Sequence, residues 1–237
     1  LVGLTFSQKL LIPMDVVQTD HLKAYGVAFS TLEQNRNVDW LLNYRGGSFM
    51  MDDNIRTQQE CTLKGIYFEL INAGQLSQIY ASIEENNMDI VLLEKLPKIA
   101  VYSPDDKQPW DDAVTLALTY AEIEYETIFD EEVLTSKLKE YDWLHLHHED
   151  FTGQYGKFYK SYRNANWYKQ QVLDFNATAT QFGFSSVHEL KKSIAVKIKE
   201  FVSNGGFLFA MCSATDSYDI ALAADGVDIC ETMFDGD

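Results

Sequence analysis

Asn204-Gly-Gly-Phe-Leu-Phe-Ala-Met-Cys212-Ser-Ala214 decides the reading of this chain. Asn204, Gly205 and Gly206 end the segment before them, because glycine enters the left-handed conformations that close helices. Phe207–Met211 is an unbroken apolar run, the pattern of a buried strand. Cys212 stands at its end, with a further helix predicted from about Ser217, its clearest stretch being Asp219 to Ala224. A cysteine between a buried strand and a helix sits at a sharp turn. Its sulfur would lie at the carboxyl edge of the sheet, where open α/β sheets bind ligands. The amides of the next helix would favour the thiolate and could donate to an oxyanion. This is the geometry of a nucleophile elbow; the alternative is a small cysteine that only packs.

Upstream, Ser186-Val-His-Glu189 has the spacing of a capping box. Leu190, Ile194, Ile198 and Phe201 then repeat on one helical face, with Lys191, Lys192, Lys197 and Lys199 placed on the others. Residues 151–184 break this rhythm. They are rich in Tyr, Phe, Trp and Lys and read as an insertion, either an amphipathic flap or a surface of aromatics and cations that stacks on rings. Before them, Lys98–Tyr102, Tyr125–Phe129 and Tyr141–His147 read as strands. Val114, Ala117, Leu118 and Ala121 make a helical stripe after a loop at 103–109, with Pro109 suited to a first turn. A short helix is expected near 131–140. Strands alternating with helices predict βαβ units, here a three-layer αβα architecture with a mainly parallel sheet.

The first part of the chain reads in the same way. Strands are expected at 10–14, 38–44, 66–71 and 88–93, and helices at 22–32, 53–64 and 75–85, with a turn at Arg45-Gly-Gly-Ser48. Asp20 and His21 lie at a helix start, where capping is the expected role. Pro97 closes this part. The expected organisation is a smaller Rossmann-like half over 9–96 and a larger α/β domain over 97–237, joined near Glu94–Lys98.

His145, His147, His148, Glu149 and Asp150 cluster at the carboxyl end of a strand. On a strand His145 and His147 share a face and His148 points away. Two imidazoles and a carboxylate could hold a divalent metal, with His145, His147 and Glu149 as ligands. Alternatively the cluster is a hydrogen-bonded strand end, or His147 or His148 reaches a neighbouring strand and serves Cys212 as its base. No cofactor is expected beyond such a metal.

The helix–glycine–strand–Cys–helix segment, with the strands at Lys98–Tyr102 and Tyr141–His147, resembles class I glutamine amidotransferase-like domains. The resemblance covers about 98–237 and implies a flavodoxin-like sheet. It also implies a thioester between Cys212 and a carboxamide carbon, with a later His, usually beside a Glu, as base. The family pattern G-x-C-x-G has Ala210 and Ala214 in place of its glycines, and no histidine follows Cys212 before Asp237. The resemblance therefore implies a domain cut short at its carboxyl end. Cys212 with His147 or His148 would be catalytic, and Ser213, Ala214, Gly205, Gly206 and Glu149 would serve as oxyanion or binding residues. The implied partner is a small-molecule amide. A domain that keeps the fold without the chemistry would instead bind a cell-envelope component.

Leu11-Ile-Pro-Met-Asp15, Gln18-Thr-Asp-His-Leu-Lys-Ala-Tyr-Gly26 and Asp39-Trp-Leu-Leu-Asn-Tyr-Arg-Gly-Gly-Ser-Phe49 are similar to exported, chiefly Bacteroidetes-type proteins often labelled asparagine synthetase B. The chain has neither the N-terminal Cys nor the S-G-G-x-D-S loop of asparagine synthetase proper. Leu1–Ser7, with Thr5 and Ser7 at the spacing of a signal-peptidase site, reads as the remnant of a secretory signal within 1–8. This predicts export to the periplasm or cell envelope. The alternative is a short first strand. No apolar run reaches the roughly 20 residues needed to span a bilayer. The formal charge of −17 argues against a nucleic-acid surface. Cys61, Cys212 and Cys230 lack metal-finger spacing, and export would permit a Cys61–Cys230 bridge.

Overall fold

A computed structural model describes residues 8–104, 113–153 and 156–235. The expected leader at 1–7 and most of the loop around Pro109 lie outside them. The chain forms two compact units: Leu1–Leu96 with Leu116–Ile123, and Pro97–Thr115 with Glu124–Asp237.

Unit 1 runs β1 (Lys9–Ile12), α1 (His21–Glu33), β2 (Val38–Leu42), β3 (Ser48–Asp52), α2 (Ile55–Lys64), β4 (Glu69–Ile71), α3 (Ala73–Glu85) and β5 (Asp89–Leu93). Its sheet has the order β4-β1-β3-β2-β5, and every pairing is antiparallel. The expected Rossmann-like half is therefore corrected to a split β-α-β-β-α-β arrangement extended by α3 and β5. The difference comes from β3, which inserts between β1 and β2. It is reached through a tight turn in which Asn43, Arg45, Gly46 and Gly47 all have positive φ. Both faces of the sheet are covered. Leu10, Ile12, Phe49 and Met51 pack with Ala24, Val27 and Cys61 of α1 and α2. Leu11, Leu41 and Met50 pack with Ile79 and Ile83 of α3.

The segment Leu116–Ile123, most of α4 (Ala113–Ala121), belongs to unit 1. Gly26 in the middle of α1 allows its approach: a Cβ there would stand 1.9 Å from the Ala121 carbonyl oxygen. Lys23 and Lys64 then pair with Glu122 at 2.7 and 3.0 Å, and the Tyr120 hydroxyl donates to Asp20. Asp20 also caps α1 by accepting from the Lys23 amide at 3.0 Å, as expected.

Unit 2 contains the parallel sheet β7-β6-β8-β9, formed by β6 (Ile99–Tyr102), β7 (Glu126–Ile128), β8 (Trp143–Leu146) and β9 (Phe207–Ala210). Its helices are α5 (Asp130–Leu134), α6 (Gly156–Tyr162), α7 (Asn166–Gln181), α8 (Val187–Ser203), α9 (Ser213–Ala223) and α10 (Thr232–Asp235). Ala100, Tyr102, Ile128, Leu144 and Leu146 form one core with Leu190, Ile194, Ile198 and Phe201 of α8. Burying each of these Leu, Ile and Phe side chains stabilises the fold by roughly 1.5–3 kcal/mol. Buried residues of α5, α7 and α9 join the same core. The connections from β7 to β8 and from β8 to β9 progress in one direction, so right-handed crossovers place their helices on one face. The β6–β7 connection runs the other way, and most of its helix is the α4 segment counted with unit 1.

Ser186 caps α8 by accepting from the Glu189 amide at 3.2 Å. The reciprocal half of the expected box shifts by one residue: the Glu189 carboxylate accepts from the Ser185 amide and hydroxyl at 3.0 and 2.7 Å.

Candidate functional site

The strand order of unit 2 reverses between β6 and β8, since β7 lies on one side of β6 and β8–β9 on the other. At such a reversal the connections leave in opposite directions, opening a crevice at the carboxyl ends of the strands. Tyr102 ends β6 there, His147–Glu149 follow β8, and Cys212 follows β9.

Cys212 is exposed. It is the N-cap residue of α9, which begins at Ser213 rather than near Ser217 as expected. Its backbone has φ 52° and ψ −138°. A side chain crowds its own backbone in that region, which is close to glycine's own territory and costs on the order of 1–3 kcal/mol. The strained residue is exposed and stands between β9 and α9. Among the described residues, the sulfur makes no side-chain hydrogen bond.

The tail of β8 is stitched to the first turns of α9. The Met211 amide donates to the Leu146 carbonyl at 3.0 Å and the Ala214 amide to the His147 carbonyl at 3.2 Å. The Ser213 hydroxyl donates to the His148 carbonyl at 3.2 Å and the Ser217 hydroxyl to the Glu149 carbonyl at 2.7 Å. Leu146 pairs with Ala210 in the parallel register. That pair is the last of the ladder, because β8 ends at Leu146.

The histidines are not arranged as an extended strand would place them. His147 and His148 stack with ring centroids 3.6 Å apart, because β8 ends at Leu146 and the backbone bends before His148. The expected opposite orientation of His148 is thus corrected. His145 is fully buried and stacks on Phe209 at 5.7 Å. The Glu149 carboxylate folds back to accept from the His147 amide at 2.7 Å. Among the described residues no group of three or more His, Cys, Asp or Glu side chains is placed to hold a metal ion. The set His145, His147 and Glu149 is therefore not gathered as a metal centre.

Two other expected placements change. Gly205 and Gly206 lie before β9, at the opposite edge of the sheet from Cys212. Gly206 instead packs against the Phe201 ring, where a Cβ would come within 2.2 Å. The Ala214 amide is spent on the His147 carbonyl and is not placed to serve as an oxyanion donor. None of Cys61, Cys212 and Cys230 is in a disulfide, so no Cys61–Cys230 bridge is present. Burial, the largest influence, pushes the Cys61 thiol up to about 12.

The sequence reading missed a buried charge cluster beside this edge. Lys191 of α8 is 3% exposed and Asp130, the first residue of α5, 2%. The ammonium donates to both Asp130 oxygens at 2.8 Å and to the Tyr102 hydroxyl at 3.2 Å. It also lies over the Phe129 and Phe175 rings at 4.4 and 4.3 Å. The Tyr102 hydroxyl donates to Asp130. Burial first, and then the Asp130 carboxylate, hold Tyr102 neutral far above the usual tyrosine range, with Glu149 adding to the effect. A signal was available, since Lys191 stands three and four residues before Ile194 and Ala195, on the apolar stripe itself.

No protein-family profile, curated protein or solved structure matches the chain.

Proposed function

We propose that unit 2 is a class I glutamine amidotransferase-like domain with a flavodoxin-like strand order, and that Cys212 attacks a carboxamide. The observation that carries this reading is the exposed cysteine at φ 52° and ψ −138° immediately before α9. A packing cysteine has no use for that conformation, whereas a nucleophile elbow depends on it.

The chemistry follows from the neighbours. An imidazole of the stacked pair His147–His148 takes the thiol proton as Sγ bonds to the amide carbon. The Ser213 amide, which follows the cysteine directly, is the proposed donor to the developing oxyanion. The imidazolium then gives its proton to the departing nitrogen, which leaves as ammonia. Water, deprotonated by the same imidazole, cleaves the thioester to a carboxylate and restores the thiol. The spacing of Leu1–Ser7 supports placing this activity outside the cytoplasm.

A second reading is a non-catalytic cell-envelope binding domain. It is favoured by the lack, among the described residues, of a hydrogen bond from the Cys212 sulfur to an imidazole.

Ammonia release from glutamine, asparagine and simple amides separates the two. The enzymatic reading expects turnover that Cys212→Ala abolishes without changing the circular dichroism. His148→Ala or His147→Ala should reduce it by about 10²–10⁴-fold. Iodoacetamide should label Cys212 faster than the buried Cys61 and Cys230. No turnover, together with labelling of Cys212 no faster than of the other two, leaves the binding reading.

A further inference from the structure

The segment from Phe151 to Leu173 contains Lys157, Lys160, Arg163 and Lys169 and no Asp or Glu, within a chain of net charge −17. Two of these cations meet apolar surface. Arg163, between α6 and α7, and Lys169 on α7 are exposed and line a groove of about 490 Å³ with Tyr168, Val172 and Leu173. The spacing of 168, 169, 172 and 173 puts them on one side of α7. Tyr159 of α6 and Phe234 of α10 supply rings, packed edge to face with centroids 5.1 Å apart. Leu173 is 63% exposed, a large apolar side chain in a site with no acidic lining residue among the described residues. The nearest acid that follows in sequence, Asp174, is engaged by the Gln170 amide at 2.8 Å.

Apolar surface beside two cations matches a ligand that is apolar along its body and negative at one end. We propose that this groove binds a small amphipathic carboxylate, an acyl or arylalkyl acid. Its body would lie on Tyr168, Val172 and Leu173, and its carboxylate would be met by Arg163 and Lys169. A guanidinium pairs well with a carboxylate in bidentate fashion. A polyanion such as nucleic acid fits less well, because it would be repelled by the acidic remainder of the chain.

The test uses the whole chain with 4-phenylbutyrate as the probe, and 4-phenyl-1-butanol and 4-phenylbutylamine as neutral and cationic counterparts. Trp167, 5.9 Å from Tyr168 between ring centroids, supplies a fluorescence reporter. The acid should bind saturably at one site per chain. The alcohol should bind about tenfold more weakly, and the amine more weakly still. Arg163→Gln with Lys169→Gln should weaken the acid by about tenfold while leaving the alcohol unchanged. Leu173→Asp should abolish binding of both. These substitutions are on exposed side chains, so the fold should survive them. The proposal is overturned if the acid does not saturate, if alcohol or amine binds as tightly as the acid, or if the double variant behaves as wild type. It does not depend on the chemistry of Cys212, and the Cys212→Ala protein should bind the probe equally well.

Discussion

The Lys191 ammonium lies 2.8 Å from each carboxylate oxygen of Asp130, and neither side chain has appreciable contact with solvent. Both ions have given up hydration, so each depends on the other. Removing one leaves an uncompensated buried charge, which typically costs about 3–5 kcal/mol. Lys191→Met should therefore lower the stability of unit 2 by that amount in denaturant titrations. Replacing both, Lys191→Met with Asp130→Leu, should recover most of the loss. A double variant as unstable as the sum of the two single variants would show that the pair contributes more than mutual neutralisation.

The Cys212 backbone supplies a second test. Glycine adopts its conformation without strain, so Cys212→Gly should stabilise the protein by about 2 kcal/mol or more relative to Cys212→Ala. Helix starts in general already favour glycine over alanine, so the strain predicts a difference at or above the top of that ordinary range, about 2 kcal/mol. Equal stability for the Gly and Ala variants would remove the strain from the account of the elbow.

Gly26 should behave in the opposite sense. In an isolated helix, alanine is better than glycine by roughly 1 kcal/mol. Here a Cβ would stand 1.9 Å from the Ala121 carbonyl oxygen. Gly26→Ala should destabilise unit 1 by more than the propensity gain, a net loss of about 1–3 kcal/mol. A thermal midpoint that rises would mean the α4 segment does not hold its place against α1.

Cys61 sets an alkaline limit. Its thiol is pushed up to about 12 by burial, against an ordinary value near 8.5 in the unfolded chain. A raised folded value means that the folded state retains its proton longer. The associated stability is complete below about pH 8.5 and is lost as pH rises towards 12. In that interval Cys61 should contribute a fall of up to about 1.4 kcal/mol per pH unit. Cys61→Ala, despite a lower starting stability from the cavity, should show the shallower slope. Parallel slopes for the two proteins would refute the assignment.

The strands β6, β8 and β9 are legible because each is a compact, mostly apolar run bounded by glycine, proline or a polar residue, whereas β7, Glu126-Thr-Ile128, is legible only as part of the longer run Tyr125–Phe129. Phe207–Ala210 between Gly206 and Cys212 is the clearest, although it stands at the end of the strand order with Phe207 and Phe209 exposed, not buried as expected. The place of Cys212 at a strand end followed from that run. Its torsion angles did not, since no residue pattern marks a cysteine with positive φ. Unit 1 was misread at one strand. Ser48-Phe-Met-Met-Asp52 has no β-branched residue, and methionine favours helices, so local propensity gave no sign of β3. Yet β3 separates β1 from β2 and makes the whole sheet antiparallel. Lys191 is hidden in the sequence because a lysine reads as solvated whatever its helical position, and the stacked histidines because their alternation fits a strand that in fact ends at Leu146.

The return of Leu116–Ile123 to unit 1 has a consequence for the order of assembly. A ribosome that has finished Leu96 has made every strand of unit 1 but not its last helical segment, which emerges only after β6. Until then Gly26 faces an empty place and Lys23 and Lys64 await Glu122. Unit 1 thus completes its folding during synthesis of its neighbour, and a gene truncated at the boundary between β5 and β6 would encode a first unit with a gap on the outer side of α1.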